Sequence, residues 1–267
     1  MHDADPWSFL KAHTAARIAQ GRTGHSLPTP ALLSFQLDHA RARDAVHSSL
    51  DKDTLLAQLS DVHPGPLLLQ SQAADRQTYL QRPDLGRKLS RASYATLREL
   101  QPGESPRFGL CIVVADGLSA TAVNHHALPV LSGLIHEASA NKWLVAPLCL
   151  IEQGRVAVGD AVAHSLQAEL LVVLIGERPG LSSPDSLGAY LTYRPRPGLT
   201  DESRNCVSNI RPEGLPYEPA VQKIMYLLTE MKHRGLSGVM LKDDMPTRTL
   251  GRTSSPALTG QSPETPD

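Results

Sequence analysis

Two carboxylates lie where apolar segments end, and both are placed to meet a ligand. Asp116 directly follows Phe108–Ala115, and Glu177 follows Leu170–Ile175 after one glycine. Continuous apolar runs rich in β-branched residues are typical of strands buried on both faces of a parallel sheet. In such sheets ligands bind outside the carboxyl ends of the strands. Either carboxylate could therefore accept hydrogen bonds from a ligand or, alternatively, cap the helix that follows.

The residues around Glu177 favour the ligand interpretation. Arg178 could hold the loop in shape, and Pro179 and Gly180 fix a tight turn immediately beyond it. For Asp116 the two interpretations stay equally open, since Asp is a preferred N-cap residue. Glu177 is therefore the first residue that we expect to touch a ligand.

A third candidate is Cys206, whose neighbours between residues 201 and 209 are mostly polar. Cys111 and Cys149 instead lie in apolar runs, where a reduced and buried thiol is the ordinary structural role. A cysteine in a polar loop is less suited to filling a core, although a purely structural turn explains Cys206 equally well. The three cysteines are far apart in sequence, so their spacing predicts neither a disulfide framework nor a redox motif.

Several familiar catalytic patterns are missing from the sequence. No Gly-x-Gly-x-x-Gly follows a predicted strand, and neither a phosphate-binding P-loop nor a Gly-x-Ser-x-Gly nucleophile turn occurs. His125 and His126 are adjacent and point about 100° apart on a helix, so we predict no metal site there. No nucleophile, base and oxyanion donors come together either. The residues alone therefore predict an α/β ligand-binding domain without catalytic residues of its own.

Composition narrows the class of protein further. The chain has 267 residues, of which 41% are hydrophobic and 20% charged, which is enough apolar material for a sizeable core. A net charge of −1 argues against an electrostatic nucleic-acid binder. No apolar run approaches the ~20 residues that span a bilayer, and the first five residues lack the features of a signal peptide. We expect a soluble cytoplasmic protein that binds neither nucleic acid nor membrane.

The elements that carry these residues divide the chain into three parts. Residues 1–103 are predicted to form a mainly helical N-terminal domain. The Pro- and Gly-rich segment 101–106 is the best candidate for a linker. Residues 104–242 then alternate between strand and helix patterns, which predicts an α/β domain with a mainly parallel sheet. Residues 243–267 are rich in Pro, Ser and Thr, and we expect them to be a disordered tail.

Local patterns place the individual elements. Helices are predicted at residues 7–20, 29–46, 53–59, in a segment ending near 100, in a segment after 119 that is interrupted at Pro129 and resumes through 140, and at 159–167 and 217–234. Strands are predicted at residues 108–115, 143–151, 170–175 and 189–193, with an extended segment at 67–72 and a short strand at 238–241.

A series of short motifs along the chain resembles the small subunit of ethanolamine ammonia-lyase. The resemblance runs from about Thr14 to about Met240. Its markers are Thr14–Ile18 with Gly21–Gly24, Leu32–His39, Tyr79–Arg87, Asp116–Ser119, Gly154–Val156, Gly176–Leu181 and Arg204–Ile210. Each motif is short, but their number and order make a chance match improbable. The resemblance implies a helical N-terminal part followed by a Rossmann-like, mainly parallel sheet flanked by helices.

The resemblance also implies a function and a partner. Members of the family pair with a large barrel subunit that binds ethanolamine and carries most of the chemistry. Adenosylcobalamin (coenzyme B12) lies between the two subunits in a hetero-oligomer. Homolysis of its cobalt–carbon bond starts a radical reaction that releases acetaldehyde and ammonia. This chain is thereby expected to be a lyase subunit that is active only with the large subunit.

Three residues match positions at which the family contacts cobalamin: Val156, Glu177 and Cys206. A carboxylate at 177 would accept from the amide groups of the corrin rim. Val156 would offer an apolar wall or backbone groups, and Cys206 a small polarizable surface. The run from Asp61 to Gly65 is one residue short of Asp-x-His-x-x-Gly, so a histidine ligand to cobalt is not expected, in agreement with the family.

Two further points stay open at this stage. The alternative function is a non-catalytic structural partner that stabilises the large subunit. Some family members carry an N-terminal extension associated with a bacterial microcompartment, and this chain starts almost directly at its first predicted helix. We therefore expect free cytoplasm rather than a microcompartment.

Overall fold

The structure is a computed structural model that describes residues 5–100 and 108–245. The α-helices are α1 (Thr29–His47), α2 (Lys52–Val62), α3 (Arg76–Gln81), α4 (Pro83–Gly86), α5 (Arg91–Glu99), α6 (Ala120–Ala140), α7 (Val158–Ser165) and α8 (Tyr217–Arg234). The strands are β1 (Leu67–Gln70), β2 (Leu110–Ala115), β3 (Cys149–Glu152), β4 (Leu170–Gly176), β5 (Leu187–Tyr193) and β6 (Asn205–Ile210). Short 3-10 helices lie at Ser8–Ala12, Asp201–Ser203 and Gly238–Met240.

The strands form one six-stranded sheet in the order β1-β3-β2-β4-β5-β6. The first four strands in that order pair in parallel, whereas β5 runs antiparallel to both of its neighbours. Helices cover both faces: α2, α6 and α8 contribute to the core on one face, and α5 and α7 to the core on the other. The predicted α/β class, with a helical N-terminal part and a mainly parallel sheet flanked by helices, is confirmed.

Strand β4 lies in the middle of the sheet and is buried along its whole length. Leu170, Val172 and Leu174 point into the core formed with α6 and α8, and Leu171 and Val173 point into the core formed with α7. Since successive side chains of a strand alternate between faces, burial on both faces requires a run without polar residues. Covering helices on both sides therefore explain the uninterrupted apolar sequence.

The N-terminal part is joined to this sheet by hydrogen bonds. The segment predicted to be extended at 67–72 forms β1, which pairs with β3 at the sheet edge. The predicted linker at 101–106 lies outside the described residues, and so does most of the predicted tail, from residue 246 onward. The domain boundaries therefore stay a prediction.

Several local predictions differ from the structure. The helix predicted at 7–20 is only the 3-10 helix Ser8–Ala12. At the far end of the predicted range, Ala19 and Gly21 adopt positive φ values of 50° and 73°, which are incompatible with a right-handed helix. Pro129 does not interrupt α6, which continues through it. The predicted strand at 238–241 is a 3-10 helix. Among the described residues, no helix is both long and apolar enough to cross a membrane.

Residues 205–210, predicted to be a polar loop, form the edge strand β6. An edge strand pairs on one side only and keeps one face in solvent, so its sequence does not need continuous apolar residues. Val207 and Ile210 are buried, whereas Cys206 is exposed. The loop prediction was therefore wrong, because polar composition was mistaken for irregular structure.

Candidate functional site

A cavity of about 420 Å³ opens at the carboxyl ends of β2 and β4. Its wall includes Tyr79, Arg155, Val156, Glu177, Arg178 and Tyr190. These residues come from α3, the β3–α7 loop, the β4–β5 loop and β5. The cavity thus lies where an open α/β sheet is expected to bind a ligand.

Among the residues that the structure describes, the Glu177 carboxylate accepts hydrogen bonds through one of its two oxygens. The Ser186 hydroxyl and the Asn209 backbone N–H both donate to Oε2, the latter at 3.2 Å. Neither bond uses Oε1. A Cβ at Gly188 would lie 2.9 Å from Oε1, so the glycine makes room for this oxygen. The side chain is consequently fixed by the protein and still offers one acceptor oxygen.

Asp116 does not cap the helix that follows it, which was one of the two roles that the sequence left open. Its carboxylate accepts from the backbone N–H groups of Gln153 and Gly154 at 2.9 and 3.0 Å, and Ser119 caps α6 instead. Burial raises the pKa of Asp116 to about 6, although the two amides and Arg76, 3.8 Å away, act in the opposite direction. Asp116 thus attaches the β3–α7 loop to the end of β2.

That loop is further positioned by an aromatic ring between two guanidinium groups. The Cζ atoms of Arg76 and Arg155 lie 4.8 and 4.5 Å from the centroid of the Tyr79 ring. The Tyr79 hydroxyl donates to the Gly154 carbonyl at 3.4 Å, and burial raises the pKa of Tyr79 to about 12. A Cβ at Gly86 would meet Arg155 at 2.9 Å, so only glycine allows this stacking. The neutral phenol therefore supports the cavity wall.

Cys206 lies at the border of the cavity rather than in its wall. It pairs with Tyr190 across β5 and β6, and Tyr190 lines the cavity. Desolvation of the thiol and the nearby negative charge of Glu177 raise the pKa of Cys206. The structure therefore brings Val156 and Glu177 into one cavity and places Cys206 next to them.

A buried ion pair connects the two segments that carry Val156 and Cys206. Arg204 donates from both terminal nitrogens to the two oxygens of Asp160, each at 2.7 Å, and both side chains are 1% exposed. Asp160 lies in α7, four residues after Val156, and Arg204 lies two residues before Cys206. This pair fixes α7 relative to the edge of the sheet.

Sequence reasoning missed the cavity residues Tyr79, Arg155 and Tyr190. Tyr79 and Arg155 do lie within the motifs Tyr79–Arg87 and Gly154–Val156, which is the signal that could have indicated them. Their contact joins positions 76 residues apart, so no local pattern predicts it.

A separate polar cluster lies between α6, α8 and the β4–β5 loop. Possible ligand atoms of His125, His126 and Asp185 lie within 4.8 Å of one another. Adjacent positions in the sequence did not predict this proximity, because Asp185 comes from a distant segment. However, His126 already uses Nδ1 with the Tyr217 hydroxyl at 2.8 Å and Nε2 with Asp185 at 3.0 Å. This network has a structural explanation, and the absence of a metal site stays a prediction.

Residues 4–242 match the family model described as ethanolamine ammonia-lyase light chain. The chain belongs to this family. It is 56% identical to the ethanolamine ammonia-lyase small subunit of Pseudomonas fluorescens Pf0-1 over 92% of this chain and 90% of that protein. The proteins of the same name from Pseudomonas putida GB-1 and Pseudomonas syringae pv. tomato DC3000 are 54% and 53% identical. Those matches cover 96% and 92% of this chain and 94% and 86% of the relatives. The resemblance inferred from short motifs is confirmed.

Proposed function

We propose that the chain is the small subunit of an adenosylcobalamin-dependent ethanolamine ammonia-lyase. In this proposal it acts in the cytoplasm and pairs with a large subunit, and the complex converts ethanolamine to acetaldehyde and ammonia. The family membership supports the enzyme class, and the word "small" in the names of its relatives implies a larger partner. The observation that carries the cofactor assignment is Glu177, which is fixed through Oε2 in a cavity at the carboxyl ends of β2 and β4.

The cavity residues can be compared with the chemical groups of cobalamin. A corrin ring carries amide side chains around an apolar macrocycle, so a suitable wall combines acceptors with apolar surface. Glu177 Oε1 supplies an acceptor for an amide N–H, and such charge-assisted bonds are among the stronger ones. Val156 supplies apolar surface, and Cys206 a polarizable group at the border. The residues present therefore fit part of the ligand.

The size of the cavity is consistent with a shared site. Pockets that enclose drug-sized ligands have volumes of about 300–1,000 Å³, and adenosylcobalamin is far larger than such ligands. A cavity of about 420 Å³ can hold only a portion of it. This agrees with a site of which the large subunit supplies the remainder.

When bound, adenosylcobalamin supplies radical chemistry through its cobalt–carbon bond. The residues of this chain then bind and orient the cofactor and shield it from water. Raised pKa values keep Tyr79 in the wall and Cys206 at its border protonated near neutral pH, so neither side chain adds charge to the site. We assign no catalytic residue and no metal ligand to this chain.

The test replaces Glu177 with Ala in the complex with the large subunit. We expect the Kd for adenosylcobalamin, followed by absorbance, to rise at least tenfold, because a charge-assisted hydrogen bond contributes about 1.5–3 kcal/mol. Glu177→Gln should retain part of the affinity, since its amide oxygen still accepts. Glu218→Ala, at an exposed position of α8, is the matched control and should leave the Kd unchanged.

The same measurement separates the alternative function. If Glu177→Ala leaves the cobalamin affinity unchanged while the complex stays intact, the chain is a structural partner of the large subunit and the cofactor assignment is wrong.

A further inference from the structure

Large apolar side chains are exposed mainly in one part of the molecule. Among the described residues twelve such side chains are exposed, and seven of them lie between residues 7 and 37. We call six of these the N-terminal apolar surface: Trp7, Phe9, Leu32, Leu33, Phe35 and Leu37. Clusters of exposed apolar side chains on a soluble protein mark interaction sites.

Helix α1 carries four members of this surface and has almost no core of its own. Of its nineteen residues, all of them described, only Ala45 is buried. At 100° per residue, the side chains of Leu32, Leu33, Phe35 and Leu37 spread over about half of the helix circumference. Most of the stability of helices in proteins comes from packing of an apolar face. The first half of α1 therefore requires another surface to bury it.

Local contacts hold this surface together before any partner binds. Arg17 forms an ion pair with Asp38 at 2.6 Å, and its Cζ lies 5.3 Å from the centroid of the Phe35 ring. Trp7 and Phe9 lie beside each other, with ring centroids 6.3 Å apart. The Arg17 contacts attach the N-terminal segment to α1, and Ser8 of that segment lines one groove together with Ser34 of α1. The apolar side chains are therefore presented as a preformed set.

The carboxyl end of α1 is anchored next to the cavity wall. The Val46 carbonyl accepts from Nε of Arg76 at 2.7 Å, and Arg76 stacks on Tyr79 in the cavity wall. The Ser48 hydroxyl accepts from the N–H of Thr121 at the start of α6, at 3.1 Å. The first half of α1 is also close to the loop that carries Glu177, because Ser34 and Asp38 line one groove together with Ser182. A partner that covers the cavity can therefore reach this half of α1 as well.

We propose that the N-terminal apolar surface docks onto the large subunit, so that one partner covers both this surface and the open cavity. The inference rests on the proposed function, because that function supplies the partner. A second copy of this chain is a poorer occupant: it would bring another partial cavity and not the missing part of the cofactor site.

The experiment measures the affinity of the full-length chain for the large subunit by sedimentation or calorimetry. The variant Leu33→Asp/Leu37→Asp places two carboxylates on one side of α1, four residues apart, where the leucines are 58% and 52% exposed. We expect the Kd to rise at least 30-fold, as for the loss of an interface hot spot. Circular dichroism and the thermal midpoint of the isolated variant should match those of the unsubstituted chain, because both leucines are exposed there.

The matched control is Leu144→Asp. Leu144 is 47% exposed and lies beside Gly109 at the amino end of β2. The cavity lies at the other end of the strands. Its substitution should leave the Kd within twofold. A double variant that binds like the unsubstituted chain, or a control that weakens binding equally, would overturn the inference and leave the proposed function standing.

Two other outcomes identify a different occupant or a different fault. If the double variant abolishes self-association of the isolated chain but not binding to the large subunit, the surface joins two copies and the proposal is wrong. If the unsubstituted chain binds no large subunit of the family, the proposed function fails together with the inference.

Discussion

Strand β4 and helix α1 are both rich in large apolar residues, but they differ in how far those residues are buried. All seven residues of β4 are buried, whereas only one of the nineteen residues of α1 is. Strand β4 lies between neighbouring strands and has helices on both faces, whereas the first half of α1 contains no buried residue. An apolar pattern thus predicts that burial will occur, and only the structure shows whether the chain itself provides it.

The ion pairs of the two regions differ in the same way. Asp160 and Arg204 are almost fully buried beneath the sheet edge, while Arg17 and Asp38 retain 30% and 24% exposure. Removing one partner of a buried pair leaves an uncompensated charge, which is costly. Exposed pairs contribute little because water and salt screen them. The sheet region should therefore be sensitive to a loss that the N-terminal segment tolerates.

The largest expected effect comes from Arg204→Ala. We predict that urea unfolding of the isolated chain shows a loss of about 3–5 kcal/mol, because Asp160 keeps a buried charge without its partner. Arg17→Ala, which also breaks an Arg–Asp pair, should cost at most about 1 kcal/mol. If Arg204→Ala does not fold, the conservative Arg204→Lys should restore folding with intermediate stability. Equal losses for Arg204→Ala and Arg17→Ala would contradict the comparison.

A smaller effect is expected from Asp116, whose buried carboxylate accepts from the backbone N–H groups of Gln153 and Gly154. Burial raises its pKa from the ordinary value of 3.8 to about 6. Between those two values the folded state holds a proton that the unfolded state has released, so the free energy of unfolding falls as the pH rises. Over the full interval the contribution of Asp116 amounts to about 3 kcal/mol.

The variant Asp116→Asn isolates that contribution. We predict that the unfolding free energy of the unsubstituted chain, minus that of the variant, decreases between pH 4 and pH 6 in urea titrations. An exposed carboxylate such as Glu218 serves as the control, and Glu218→Gln should leave the slope unchanged. A difference that rises with pH over the same interval would show that the hydrogen bonds of Asp116, and not its burial, dominate its pKa.

Sequence patterns predicted those parts of the fold in which one residue type repeats along one element. The run Leu170–Ile175 gives the central strand because burial on both faces excludes polar residues. Helix α8 ends at Gly235, which adopts a φ of 71° that favours glycine. The expectation that Glu177 lies at a ligand site follows from the general geometry of parallel sheets, and the cavity is found there.

Other features depend on contacts between distant segments and leave no local pattern. Asp116 contacts amides 37 and 38 residues away, and Tyr79 lies between arginines from two segments. Edge strand β6 carries polar residues because one of its faces meets solvent. In each case the composition fits more than one structure, and only the tertiary arrangement selects among them.

The most direct test of the account is a spectroscopic titration of adenosylcobalamin into three samples: this chain alone, a large subunit of the family alone, and their mixture. A sheet region that carries only part of the cofactor site and an N-terminal segment that needs a partner predict tight binding by the mixture, at least tenfold tighter than by either chain alone. Binding by the isolated chain as tight as by the mixture would contradict the claim that the site is completed between two subunits.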